Sequence, residues 1–336
     1  MTFSARFVLS IIRFAGVQGA NAKKLLELTG YSMEALCDEA LRVDSEVYNL
    51  VLEQAIATTG DDCFGLHSGE YLNLSAAGLI GQITQTSATV KEALDYCCEF
   101  AQLGCRALPM ELMEEEQYFR LLIKPDALWL QQSELSVRHT IDGVLAFTIR
   151  EFHTLTFQKY YPVAINYAFG QLKNTEEYKR VFQCPFRFNR QETSILFDKN
   201  TINQPVVTSD YELLRILVEH AEEKIATIEN EEGFAHLVKQ SMINLIKPEF
   251  PTIEQVASNL NISVRTLQRR LKEEGITFKE ILESLRKDFA ASYLRKPALS
   301  INEIAYLLSY ADASTFIRSF KRWTGKSPQA YRTELL

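Results

Sequence analysis

Residues 252–271, TIEQVASNLNISVRTLQRRL, and residues 300–320, SINEIAYLLSYADASTFIRSF, are one pattern written twice. Ile253, Val256, Ala257 and Leu260 recur 48 positions on as Ile301, Ile304, Ala305 and Leu308. Beyond the turn the offset becomes 49, matching Ser263, Leu267, Arg269 and Leu271 to Asp312, Phe316, Arg318 and Phe320. The second turn is therefore one residue longer.

Each copy predicts helix, tight turn, helix. Thr252-x-x-Gln255 and Ser300-x-x-Glu303 are capping boxes, in which hydroxyl and amide or carboxyl side chains satisfy each other's orphan backbone donors. Ala257 and Ala305 leave room for a crossing helix, Asn261 and Ser309 occupy the turns, and Ser263 and Asp312 cap the second helices. This is the geometry that places a helix in the major groove of DNA. At about 100° per residue, burying Leu267 turns Arg265, Arg269 and Lys272 outward with Gln268 on the flank. Burying Phe316 likewise presents Ser314, Arg318 and Lys321, with Ile317 beside them. Arg and Gln can pair two hydrogen bonds with guanine and adenine edges, so these faces suit base reading. Arg322 and Lys326 extend the candidate contact set. The plain alternative is a solvated charged face on a helical hairpin; duplication, caps, turns and outward basic residues coinciding in both copies weigh against it. Thr277-x-x-Glu280 opens a connecting helix through Leu294, expected to hold the two reading heads about 34 Å apart, one turn of DNA.

The net charge of −7 conceals a polarity. Residues 251–336 carry 14 Lys and Arg against 9 Asp and Glu, leaving 22 against 34 in residues 1–250. The basic charge lies where a polyanion would bind. With 46% apolar and 24% charged residues over 336 positions, the chain suits about two globular domains. The apolar run Phe7–Ile12, closed by Arg13, is too short for a signal peptide, and no stretch suits a membrane span. A cytoplasmic protein without membrane association is expected. The six cysteines show neither paired nor zinc-type spacing, so no metal or other cofactor is expected and buried thiols are the default, with a redox sensor the lesser reading.

Upstream, apolar spacing predicts helix for most of residues 3–100, in Phe7–Phe14, Leu25–Leu28, Val47–Ala57 and Val90–Leu103. Arg106–Met113, Tyr118–Ile123, Val163–Phe169 and Thr193–Phe197 read as strands, around a long helix over Glu134–Phe157. Tyr211, Leu214, Val218, Ala221, Ile225 and Ile228 then keep a strict three-four spacing. Two readings stand: a seam pairing two subunits, or a stripe packed on its own domain, since Leu213, Ile216 and Leu217 widen it. Acidic Glu229–Gly233 and the Pro248 and Pro251 breaks separate this from the basic domain. The fold class expected is α+β: a mixed α/β sensing domain over residues 1–205, a helical linker over 206–250, and an all-α domain over 251–336 with two helix-turn-helix units joined by a long helix.

The segments ISVRTLQRRLKEEGITFKEILESLRKDFAASYL (262–294) and LSINEIAYLLSYADASTFIRSFKRWTGKSPQAYR (299–332) closely resemble the DNA-binding domain of the AraC/XylS family of transcription regulators. The resemblance implies promoter DNA as a partner, contact with RNA polymerase, activation as the usual outcome, and a homodimer. Carried over by position, Arg265, Gln268 and Arg269 face bases in the first unit, and Ala313, Ser314, Ile317 and Arg318 in the second. Ser309 departs from the glycine common at that turn, which puts strain on a left-handed backbone there. Residues 61–94 and 165–206 resemble the effector-binding domain of the arabinose-binding branch, implying a small-molecule effector.

No nucleophile elbow, zincin, phosphate-loop or dinucleotide pattern occurs, so enzyme activity is not expected. Cys105-Arg106, the one thiol with an adjacent arginine, would point its two side chains apart on a strand. The other rival is a constitutive DNA-binding dimer without a ligand. For the effector, Trp129, Arg138 and His139 are candidate pocket residues. Aromatic density between Tyr118 and Phe197 suggests an apolar or amphipathic molecule, its carboxylate, if present, held by Arg138 or Arg150.

Overall fold

The computed structural model describes residues 1–72, 77–170, 174–246, 250–294, 296 and 299–335, without the side chains of 229–232, 240, 244, 334 and 335. Of the break expected over Lys247–Pro251, residues 247–249 lie outside them. The chain forms two compact units, Met1–Ala226 and Thr227–Leu336.

The first unit opens with a two-stranded antiparallel ribbon, β1 (Thr2–Ser4) and β2 (Arg42–Asp44), around helices α1 (Ala5–Val17) and α2 (Ala22–Thr29). Ser4 and Asn21 cap these helices through their side-chain oxygens, and left-handed Gly30 ends α2. Then come α3 (Ser45–Thr59), α4 (Phe64–Tyr71), α5 (Leu79–Thr86), α6 (Val90–Glu99) and the short α7 (Ala101–Gly104). A five-stranded sheet follows in the order β3-β4-β7-β5-β6: β3 (Met110–Glu114), β4 (Tyr118–Ile123), β5 (Ala164–Asn166), β6 (Phe186–Arg187) and β7 (Thr193–Asp198). Its pairs are antiparallel except β5 with β6. Helices α8 (Ala127–Gln132), α9 (Glu134–Thr156), α10 (Thr175–Phe182) and α11 (Lys199–Ile202) complete the layer.

The mixed first unit agrees with the expected class, but its elements are finer than the sequence pattern suggests. Arg106–Pro109 is not strand: Ala107 and Leu108 are buried in a turn, and Pro109 has no amide for a ladder. Val90–Leu103 is two helices, with Phe100 between them. Of Val163–Phe169, three residues pair as β5, and β1, β2 and β6 are too short to show periodicity.

The core is aromatic where the elements converge. Phe3 stacks on Tyr48 at 3.8 Å, and Trp129, fully buried, meets Phe3 edge-on at 5.1 Å while its Nε1 donates to Asn49 Oδ1 at 2.9 Å. Helix α4 crosses α9 through glycine: a Cβ on Gly65 would strike the His139 backbone, and one on Gly69 the Gly143 carbonyl. Tyr167, Phe186 and Phe188 form a ring cluster continuous with this core, with Phe186 and Phe188 at 4.8 Å.

Helix α12 (Tyr211–Leu245) is interrupted at Gly233, where φ is 67° and ψ 177°. In the first unit its stripe is used internally: Leu214 and Ala221 are buried with Ile83 and Phe100, and Val218 and Ile225 pack against the same cluster. Tyr211, Leu213 and Ile216 are left outside, at 80%, 43% and 57% exposure. In the second unit the segment after Gly233 is held to the helices that follow. Glu274 accepts the Phe234 and Ala235 amides, and the Arg270 guanidinium lies 4.1 Å above the Phe234 ring. The remaining helices are α13 (Ile253–Asn259), α14 (Val264–Glu273), α15 (Phe278–Leu294), α16 (Ile301–Leu307), α17 (Ala313–Thr324) and α18 (Pro328–Leu335). No described helix is long and apolar enough to cross a membrane.

Candidate nucleic-acid interface and effector cavity

Helices α13–α14 and α16–α17 reproduce one construction. Both capping boxes form with both of their hydrogen bonds, and Ser263 and Asp312 each cap the second helix three residues on. Both turns close alike: the Ile262 amide donates to Ala257 O and the Tyr310 amide to Ala305 O, each at 3.0 Å. Asn261 and Ser309 take left-handed conformations at φ 52° and 55°. Ser309 is tied down, its Oγ accepting from the Phe250 amide and its carbonyl from Arg286.

Leu267, Leu271, Phe316 and Phe320 are buried. Opposite them Arg265, Gln268, Arg269 and Lys272 are exposed on α14, and Ser314, Ile317, Arg318, Lys321 and Arg322 on α17. Ala313 is half-buried at the start of α17, and Lys326 is exposed beyond its end. Arg269 pairs with Glu273 at 2.7 Å on an open surface, an interaction weak enough to yield to a phosphate or base. Arg322 differs, reaching back to Glu283 of α15 at 3.0 Å and so joining the second hairpin to the connecting helix.

A cavity open to solvent lies in the first unit, and its empty space of about 500 Å³ includes part of the solvent outside. Phe7 and Ile11 of α1, Leu52 of α3, and Val144 and Phe147 of α9 give it an apolar wall. Of the three expected pocket residues, His139 lines it; Trp129 belongs to the core and Arg138 is not part of the wall. Arg150 is engaged elsewhere, donating to the Glu70 and Leu72 carbonyls that end α4. The ring cluster of Tyr167, Phe186 and Phe188 does not line the cavity either. Beyond His139, the sequence pattern missed the rest of the α9 face, at 140, 143, 144 and 147, where mid-helix Gly143 was a further visible signal.

Burial and neighbouring Arg138 lower the His139 ring to about 4, so it is neutral near pH 7. Burial raises Cys97, Cys98 and Cys105 to about 12, leaving them as thiols.

Residues 19–206 match the family described as the arabinose-binding domain of AraC transcription regulator, N-terminal, and residues 256–334 match a helix-turn-helix domain. The ornithine utilization regulator of Pseudomonas aeruginosa is 28% identical over 93% of this chain and 95% of its own length. The transcriptional regulator VirS of Mycobacterium tuberculosis is 24% identical over 84% and 82%. Among solved structures, the regulator CdpR of Pseudomonas aeruginosa aligns at 23% identity over 85% of this chain and 91% of that one, with a TM-score of 0.45.

Proposed function

Since the chain belongs to the AraC family of transcription regulators, and is a DNA-binding regulator and not an enzyme, we propose that it activates specific promoters under the control of a small molecule. Residues 251–336 read double-stranded DNA by setting α14 and α17 into successive major grooves, with RNA polymerase as the next partner. Residues 1–205 sense the effector in the α1, α3 and α9 cavity, and 206–250 connect the two. The working form is a cytoplasmic homodimer. The observation that carries the reading is the duplicated capped hairpin with an exposed basic outer face in both copies.

Selection from random duplexes with the full chain tests this. One consensus with two half-sites about one helical turn apart is expected, and log affinity falling steeply with log salt as phosphates shed their counterions. Failure to enrich any sequence would overturn it. Ligand control works only through unequal affinity of the effector for two states of the protein. Stripping bound small molecules from the purified chain should therefore change operator affinity.

A further inference from the structure

Resting on the reading of the cavity as the effector site, the hydrogen-bond inventory of its wall narrows the ligand. Among the described residues, no Lys, Arg, Asp or Glu lines it. Four polar side chains do: Tyr48, Ser68, His139 and Thr140. The hydroxyl protons are already committed. Ser68 Oγ donates to Gly65 O at 2.7 Å, and Thr140 Oγ1 to Ser136 O at 2.7 Å. Thr140 Oγ1 is then left to accept, so in the 2.7 Å contact between them Tyr48 is the donor. On His139 the Gly65 amide donates to Nδ1 at 3.1 Å, which assigns the ring proton to Nε2. Nε2 makes no hydrogen bond among the described residues, so on this residue of the wall it is the nitrogen still able to donate.

We propose that the cavity holds a neutral, mostly apolar molecule with one hydrogen-bond acceptor, a ketone or ester carbonyl, received by the Nε2–H of His139. Among the described lining residues a carboxylate would find no cation and an ammonium group no anion, so either would lose hydration without a partner in the wall. A polyhydroxylated sugar would bring several donors and acceptors to a wall whose described residues offer one donor and the spare lone pairs of Ser68 and Tyr48. The glycine crossing fixes the donor, because the α4 backbone that approaches through Gly65 holds Nδ1 and so orients the ring.

The test uses the full chain with octan-2-one and octanoate at neutral pH, followed by calorimetry and by proton–nitrogen correlation of the imidazoles. Octan-2-one is expected to bind at least about tenfold more tightly than octanoate and to shift the His139 Nε2–H resonance. His139→Phe, similar in size but without the donor, should reduce that preference to under about threefold. As that variant also orphans the Gly65 amide, the unmodified protein's resonance is the independent readout. Equal or tighter binding of octanoate, or a ring protonated on Nδ1, overturns the proposed ligand class while leaving the cavity a ligand site. If neither probe binds, the proposed ligand class is overturned, and if stripping bound small molecules also leaves operator affinity unchanged, the sensing role itself falls.

Discussion

Helices α4 and α9 and the two DNA-binding hairpins solve the same problem, close approach of two helices, by different means. In the hairpins, Ala257 and Ala305 sit at the approach and each turn is set by residues within about ten positions. In the first unit Gly65 meets His139, 74 residues away, with glycine backbone against backbone. Local chemistry specifies the ends and turns of the hairpins. The α4–α9 crossing depends on residues far apart in the chain, and it orients the one free donor among the cavity's described residues.

Breaking that crossing should have the largest effect. Gly65→Ala places a methyl on the His139 backbone, which cannot yield as a flexible side chain would, so a loss of about 3 kcal/mol or more is expected. Gly104→Ala, whose added carbon would sit 3.7 Å from Ile80 Cδ1, is the control. In hydrogen exchange, amides of α4 and α9 should lose protection in Gly65→Ala while those of α14 and α17 keep theirs. Wild-type protection throughout would mean that glycine is not what sets the approach.

A smaller contrast lies in acid response. Asp142 of α9 is buried and accepts from the Tyr167 and Tyr178 hydroxyls at 2.6 Å each, and burial outweighs them to raise it to about 6 from 3.8. Its folded form binds the proton more tightly, so this group adds stability as pH falls from about 6 to about 4. His139 has the opposite sign: lowered from 6.5 to about 4, it removes stability as pH falls through that window. Each is worth about 3 kcal/mol and they nearly cancel. Asp142→Asn leaves His139 unopposed, so stability should drop by about 3 kcal/mol between about pH 6.5 and pH 4, against about 1 or less in the wild type. Urea unfolding followed by Trp129 fluorescence in a Trp323→Phe background measures this; parallel curves would sink the assignment. In the second unit, the capping acids Glu303 and Asp312 are lowered by the backbone amides they accept, so their contribution persists until pH falls through those lower values.

The same contrast explains what was legible in the sequence. Caps, turn residues and apolar spacing lie within a few positions of each other, so both hairpins and their outward faces could be read directly. The cavity could not. Phe7, Leu52 and Phe147 have no local relation, and of the aromatic run from Tyr118 to Phe197, which suggested a pocket, Phe147 lines it while Tyr167, Phe186 and Phe188 go to a ring cluster. The α12 stripe was ambiguous because pairing with a second helix and packing on one's own domain use the same spacing. Burial of Leu214 and Ala221 against Ile83 and Phe100 engages that stripe within the chain.

The hairpins themselves should prove unequal on DNA. The first presents Arg265, Gln268 and Arg269; the second has Ser314 and Ile317 beside Arg318. Arg269→Ala is expected to cost about 1–3 kcal/mol on the selected operator and relax the preference at one base pair. Arg318→Ala should cost about 1 kcal/mol or less, since its neighbours offer fewer paired hydrogen bonds. Equal losses from Arg269→Ala on operator and random DNA would make it a phosphate anchor instead.

The two turns should differ least, and in sign. Asn261 and Ser309 both hold positive φ, a conformation that costs a side-chain-bearing residue energy and glycine almost none. Asn261 tolerates it better than most, and its side chain makes no hydrogen bond among the described residues, so Asn261→Gly should raise stability by about 0.5 kcal/mol. Ser309→Gly relieves more strain, but it removes the hydroxyl that accepts the Phe250 amide. That amide lies beside half-buried surface, where losing its partner costs about 1 kcal/mol or more. The expected outcome is therefore a melting temperature raised slightly by Asn261→Gly and unchanged or lowered by Ser309→Gly. If Ser309→Gly stabilises more than Asn261→Gly, the hydroxyl contributes little, and the serine is a strained turn without compensation.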